Sequence, residues 1–112
     1  MSDLDAIFAA LADPTRRAVV DLLRHEPLRA GELAAALEVS PPAMSRHLRV
    51  LRESGLIDEE RVAGDARARL QHLLPEPFDE LRSWIEEVEQ LWTGQLDAFK
   101  AHAERKRGKR RR

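Results

Sequence analysis

Ser45, Arg46, His47, Arg49 and Arg52 follow one another closely, and no carboxylate interrupts them before Glu53. Such a set does not attack bonds; it donates hydrogen bonds. Arginine presents a fork of N–H donors that matches guanine edges in the DNA major groove and phosphate oxygens on the backbone, with serine and histidine as shorter donors beside it. Chemistry of that kind needs the donors on one face of a rigid element narrow enough for a groove.

The surrounding residues specify a helix over 41–54. The Ser40 hydroxyl suits an N-cap, where it accepts from an orphan backbone N–H of the first turn. Pro41 fits the first helical position, where no donor is required, and Gly55 suits the left-handed residue past the end. Met44, Leu48 and Leu51 recur at i, i+4 and i+7 as an apolar back. Ser45, Arg46, Arg49 and Arg52 lie off that stripe, and His47 falls at its edge. A charged outer face is also what any solvated amphipathic helix presents, so this stretch alone leaves both readings open.

The flanking segments bear on the choice. Leu4, Ile7, Phe8 and Leu11 have the spacing of a first amphipathic helix. Asp13-Pro14 reads as N-cap and first position of a second, with Val19, Leu22 and Leu23 inward, ended near His25 by Glu26-Pro27. A third is expected from Arg29 to Leu37, its inner face formed by Leu33, Ala34 and Leu37. Only Glu38 and Val39 separate it from Ser40. Two short helices so joined, the second with a polar front, form the helix-turn-helix pattern.

Past Gly55 the period changes. Leu56 to Val62 reads as a strand, although Asp58, Glu59 and Glu60 make it a poor one; Ala63-Gly-Asp65 is a turn signal, and Arg67 to Leu73 returns. Strict alternation would put Arg67 and Arg69 on one side. The hairpin over 57–73 thus reads as a wing whose basic tip reaches a phosphate or the minor groove, against the plainer option of a solvated hairpin with ordinary surface arginines. Pro75 and Pro77 open a last helix with no breaker except Gly94. Along it Phe78, Leu81, Ile85, Val88 and Trp92 follow heptad spacing; Trp84, Leu91 and Ala98 add a second stripe, and Leu96 and Phe99 continue it. This face is wider than one small domain needs, which favours pairing of two copies over a single helix clamped on its own domain. Leu4, Phe8, Leu81, Trp84, Ile85, Val88, Leu91 and Trp92 are the candidate dimerisation residues.

The net charge of −1 conceals an asymmetry. Residues 105–112 hold 7 of the 19 basic residues and no acidic or apolar one, so 1–104 carry −8. A chain organised this way is expected to have one domain over 1–104 and a basic, unstructured tail over 105–112. There is no cysteine, which excludes disulfides, thiolate metal sites and cysteine nucleophiles. His25, His47, His72 and His102 are too scattered to suggest a metal site. No glycine-rich phosphate loop or catalytic triad is present, and Glu86, Glu87 and Glu89 read as a solvated helix face. No enzyme activity and no cofactor are expected. The acidic start and the lack of a long apolar run give the expectation of a cytoplasmic protein without a membrane partner.

The order helix, helix, helix-turn-helix, hairpin, long helix resembles the ArsR/SmtB family of bacterial winged helix-turn-helix repressors. The likeness rests on Leu11-Ala-Asp-Pro-Thr-Arg-Arg17, Gly31-Glu-Leu-Ala34, Ser40-Pro-Pro-Ala-Met-Ser-Arg-His-Leu-Arg-Val-Leu-Arg-Glu-Ser-Gly-Leu56 and Pro75-Glu-Pro-Phe78. It implies a mainly α fold of five helices with a small β-hairpin and a long C-terminal dimerisation helix. It further implies a homodimer that binds a palindromic operator in double-stranded DNA and represses transcription. By that likeness Ser45 and His47 lie in a DNA-contacting Ser-x-His-Leu motif beside Arg46 and Arg49. Ser40 and Pro42 stand at the helix start, and Arg67 and Arg69 in the wing. A packed, hydrogen-bonded histidine is the other role open to His47. The thiolates that metal-sensing relatives carry on the third helix are absent, and the last helix holds only His102, so no metal sensing is expected and no inducer is evident. Two alternatives from other classes are a protein-interaction module on the same scaffold and a non-specific DNA binder driven by the tail.

Overall fold

The computed structural model describes residues 3–110. Five helices and three strands follow in the order α1 (Asp3–Leu11), α2 (Pro14–Leu23), β1 (Leu28–Arg29), α3 (Ala30–Leu37), α4 (Pro41–Glu53), β2 (Ile57–Val62), β3 (Asp65–Leu73) and α5 (Pro75–Arg110). The contacts divide the chain into two compact units between Glu80 and Leu81.

In the first unit the helices are set by their ends. The Asp13 carboxylate caps α2 by accepting from the Arg16 N–H at 3.1 Å, with Pro14 at the first helical position. Ser40 Oγ caps α4 through the Ala43 N–H at 3.3 Å. Past α4, Gly55 takes φ 79°; its N–H donates to Arg52 O and that of Leu56 to Leu51 O, both at 3.0 Å. Those two bonds and the burial of Leu51 and Leu56 form the Schellman ending that the glycine allows. The same ending closes α3 without glycine: Glu38 sits at φ 55°, and the Val39 N–H donates to Ala34 O at 3.0 Å. Ile7, Ala10, Val19, Leu33, Met44, Leu48 and Leu51 make the helical part of the core, completed by Leu56 and Ile57 where the sheet begins. The apolar positions marked on α4 are therefore inward.

The sheet departs from the expected hairpin. It has three antiparallel strands in the order β1-β3-β2. β1 pairs Leu28 with Gln71 and Arg29 with Leu70, so Arg29 is strand and helix cap instead of the first helical residue. Two residues are too few for periodicity, and their ladder partners lie far along the chain. α2 also stops at Leu23, with Arg24 as its cap, short of His25. The register runs Ile57↔Leu73, Glu59↔Gln71 and Arg61↔Arg69, then shifts to Val62↔Asp65. Ala66, Arg67 and Ala68 therefore stand outside the paired register. A bulge interrupts the ladder here, so plain alternation does not carry through the turn, yet Arg67 and Arg69 line the same cleft.

α5 is one helix of 36 residues. It passes Gly94 without a break and continues to Arg110, through residues expected to be unstructured. Lysine and arginine are strong helix formers, and their charge is favourable near a helix C-terminus. Along α5, Ile85, Val88, Trp92 and Leu96 are exposed; Leu91 and Phe99 are the most exposed of the large apolar side chains, at 71% and 72%. Among the described residues, no helix is long and apolar enough to cross a membrane.

Candidate nucleic-acid interface

The exposed side of α4 carries Pro42, Ser45, Arg46 and Arg49 at i, i+3, i+4 and i+7, a single stripe opposite Met44, Leu48 and Leu51. Ser40 stands exposed at its start. These residues share one face because the helix period puts them there, and the face is open because the buried stripe turns it outward.

Neither His47 nor Arg52 belongs to that stripe; they occupy its two flanks. His47 is only 22% exposed at the side chain, with Nδ1 3.4 Å from Arg16 Nη1 and 3.9 Å from Asp13 Oδ1. A guanidinium can only donate, so with Nδ1 bare the imidazole accepts from Arg16, and with Nδ1 protonated it faces the Asp13 carboxylate. The Arg16 guanidinium also donates to Ala10 O at 2.6 Å and Ala9 O at 3.2 Å, and Arg17 donates to Leu11 O at 2.7 Å. The Asp-Pro-Thr-Arg-Arg run thus starts α2 with its carboxylate and finishes α1 with its guanidinium groups. The backbone N–H of Arg16, followed by the nearby His47 and the Arg16 charge, holds the Asp13 carboxyl below its ordinary value.

On the other flank, Arg52 turns toward the sheet. Its Nη1 donates to Gln71 Oε1 at 3.3 Å, and its Nε faces Glu59 Oε1 at 3.8 Å; Gln71 Nε2 donates to Glu59 Oε2 at 3.0 Å. The front of α4 therefore offers two arginines, not three. Sequence reasoning missed Glu59 and Gln71. The available signal was a glutamine on the same strand face as Leu73, where an apolar residue is ordinary.

Between α4, the N-terminus of α3 and the hairpin lies an open cleft of about 470 Å³, lined by Arg29, Ser45, Arg52, Glu59, Arg67, Arg69 and others. Two carboxylates there are internally engaged: Glu59 as above, and Asp65, whose Oδ1 accepts from the Arg67 N–H at 3.1 Å. Arg69 Nη1 folds back on the bulge, donating to Ala66 O at 3.0 Å and Ala68 O at 3.4 Å, while Arg67 is exposed. The structure thus brings Ser45, Arg67 and Arg69 to one cationic cleft beside the α4 stripe, and sets His47 apart. Of the candidate dimerisation residues, Phe8, Trp84, Ile85, Val88, Leu91 and Trp92 are exposed, and Leu4 and Leu81 are half-buried. Among the described residues, no group of three or more histidine or carboxylate side chains could hold a metal ion.

Residues 11–60 match the helix-turn-helix domain family. An HTH-type transcriptional regulator of Mycobacterium tuberculosis is 42% identical over 95 residues, which span 85% of this chain and 83% of that protein. A transcriptional repressor of Bacillus subtilis is 36% identical over 52% of this chain and 64% of its own length. The crystal structure of an ArsR family transcriptional regulator superposes with a TM-score of 0.75 at 36% identity, over 82% of this chain and 98% of that one. The helix-turn-helix followed by a wing, and these likenesses over most of both chains, agree: the chain belongs to the ArsR family of winged helix-turn-helix transcriptional regulators.

Proposed function

We propose that the chain acts as a homodimeric repressor in the cytoplasm, reading a palindromic operator with the α4 stripe in the major groove and the wing on the flanking backbone. The observation that carries this reading is the stripe Pro42, Ser45, Arg46 and Arg49, held outward by the buried Met44, Leu48 and Leu51. Its charges are positive until Glu53, which follows Arg49 at i+4 in the last turn. Arg67 supplies an exposed cation lining the same cleft as Ser45, for a phosphate beside the groove.

Pairing is supported by α5. Ile85, Val88, Leu91, Trp92, Leu96 and Phe99 are all substantially exposed on one helix. A contiguous apolar surface of this kind marks an interface, and a second copy buries it symmetrically. Two-fold symmetry then presents two α4 helices to two half-sites.

The test is the Arg46→Ala/Arg49→Ala double variant against a duplex selected by the wild-type protein from a random-sequence pool. Each lost arginine–base pair costs about 1–3 kcal/mol, so specific binding is expected to collapse while fold and dimer persist. Undiminished specific affinity would overturn the assigned face.

A further inference from the structure

Gln71 is the one polar side chain buried in the core among the described residues, at 2% exposure. Both ends of its amide are committed: Oε1 accepts from Arg52 of α4, and Nε2 donates to Glu59, its partner directly across β2 and β3. Arg52 and Glu59 close the triangle. One hairpin face therefore changes character along its length, from Ile57 and Leu73 at the base, through Glu59 and Gln71, to Arg61 and Arg69 nearer the tip.

Two features of this arrangement oppose DNA affinity or hairpin stability if taken singly. Glu59 places a carboxylate in the cleft where Arg29, Arg67 and Arg69 would attract phosphate more strongly without it. Arg61 and Arg69 are like charges in direct cross-strand register, which loosens a hairpin tip. An apolar pair at 59 and 71 would avoid the first and would extend the Ile57–Leu73 contact. Apolar contact, however, is non-directional and permits sliding, whereas hydrogen bonds to a planar amide and a guanidinium hold one relative orientation.

We propose that Gln71 is a positioning residue for DNA recognition: with Glu59 it clamps Arg52, and so holds the wing at one angle to α4. The exposed Arg67 and the α4 stripe then meet the same stretch of duplex together. The inference rests on the reading of α4 and the wing as the DNA-contacting elements, and it adds a group that touches no DNA itself.

The experiment compares Gln71→Leu, Arg67→Ala and their combination with wild type, on the selected duplex and on a scrambled one, over a range of salt. Leucine fills the volume of the amide, and Arg52 and Glu59 are exposed enough to be hydrated without it. The variant is therefore expected to fold and to dimerise. Gln71→Leu should weaken binding to both duplexes roughly tenfold and lower the salt slope by about one, as loss of a phosphate contact does. Arg67→Ala should have the same effect on wild type and no further effect in the Gln71→Leu background.

Additive losses, or undiminished affinity of Gln71→Leu, would overturn the clamp while leaving specific DNA binding in place. A second variant, Glu59→Ala, removes the acceptor and the charge together and so sets geometry against charge. Removal of the carboxylate by itself predicts tighter binding to both duplexes; the clamp predicts weaker binding to both. Tighter binding to both overturns it. Wild-type protein that bound both duplexes equally would overturn the DNA reading and the clamp with it.

Discussion

Arg16 in α2 and His47 in α4 meet side chain to side chain at 3.4 Å, and the same guanidinium that reaches the histidine also closes the C-terminus of α1. Three helices thus converge on one side chain. The recognition helix is tied on this flank to α1 and α2, as it is tied on the other to the wing.

Replacing Arg16 removes donors from two α1 carbonyls at once. Arg16→Ala is expected to cost about 1–3 kcal/mol, the worth of charge-assisted hydrogen bonds lost from partly buried acceptors. Arg16→Lys should recover less than half of that, because a single ammonium cannot span the two carbonyls and the imidazole. Urea unfolding of the three proteins checks both statements; full rescue by lysine would mean that charge, not the fork, matters.

The Asp13 carboxyl is held below its ordinary value of 3.8, chiefly by the Arg16 N–H. Since the folded state has the lower pKa, the carboxylate stabilises the fold above the unfolded value, and that stability is lost as pH falls through the folded one. Asp13→Asn keeps a capping oxygen but not the charge. Its stability difference from wild type is therefore expected to be flat at neutral pH and to shrink below pH 3.8. A difference that grew on acidification would reverse the sign.

Glu38 bears a side chain at φ 55°. A left-handed residue other than glycine costs about 1–2 kcal/mol, and glycine returns part of that through its looser unfolded state. Glu38→Gly should therefore stabilise the protein by about 0.5–1 kcal/mol by thermal or urea unfolding, with specific DNA affinity unchanged.

Gly94 sits inside α5 with nothing within 4 Å of an added Cβ. Its surroundings, Glu89, Gln90, Thr93 and Asp97, are polar, on a different side from the apolar stripe. Gly94→Ala should raise helix stability by about 0.5–1 kcal/mol and leave dimer affinity as it was. Circular dichroism and sedimentation measure the two quantities, and a weakened dimer would place Gly94 in the interface.

Deleting residues 105–112 removes 7 of the 19 basic residues. Specific binding is expected to persist, with lower overall affinity and a shallower salt dependence, since the lost cations act on phosphates without reading bases. Loss of discrimination between selected and scrambled duplexes would favour the non-specific reading in which the tail drives binding.

What the residues determine unaided is everything that depends on near neighbours in the chain. Ser40, Pro41 and Gly55 bound α4; Asp13 and Pro14 start α2; Met44, Leu48 and Leu51 make the back of the recognition helix. Caps and helical periodicity act over one or two turns, so order along the chain suffices to see them, and the winged helix-turn-helix order follows. Tertiary structure alone decided the rest. β1 is two residues long and exists because β3 supplies its ladder. The bulge between the Arg61–Arg69 and Val62–Asp65 pairs depends on how β2 and β3 register. His47 left the exposed stripe for Arg16, and Arg52 left it for Glu59 and Gln71, partners far away in sequence. Spacing places a side chain around a helix axis but does not say which other element stands beside it. That choice belongs to the packed chain, and it decided which arginines of α4 stay exposed.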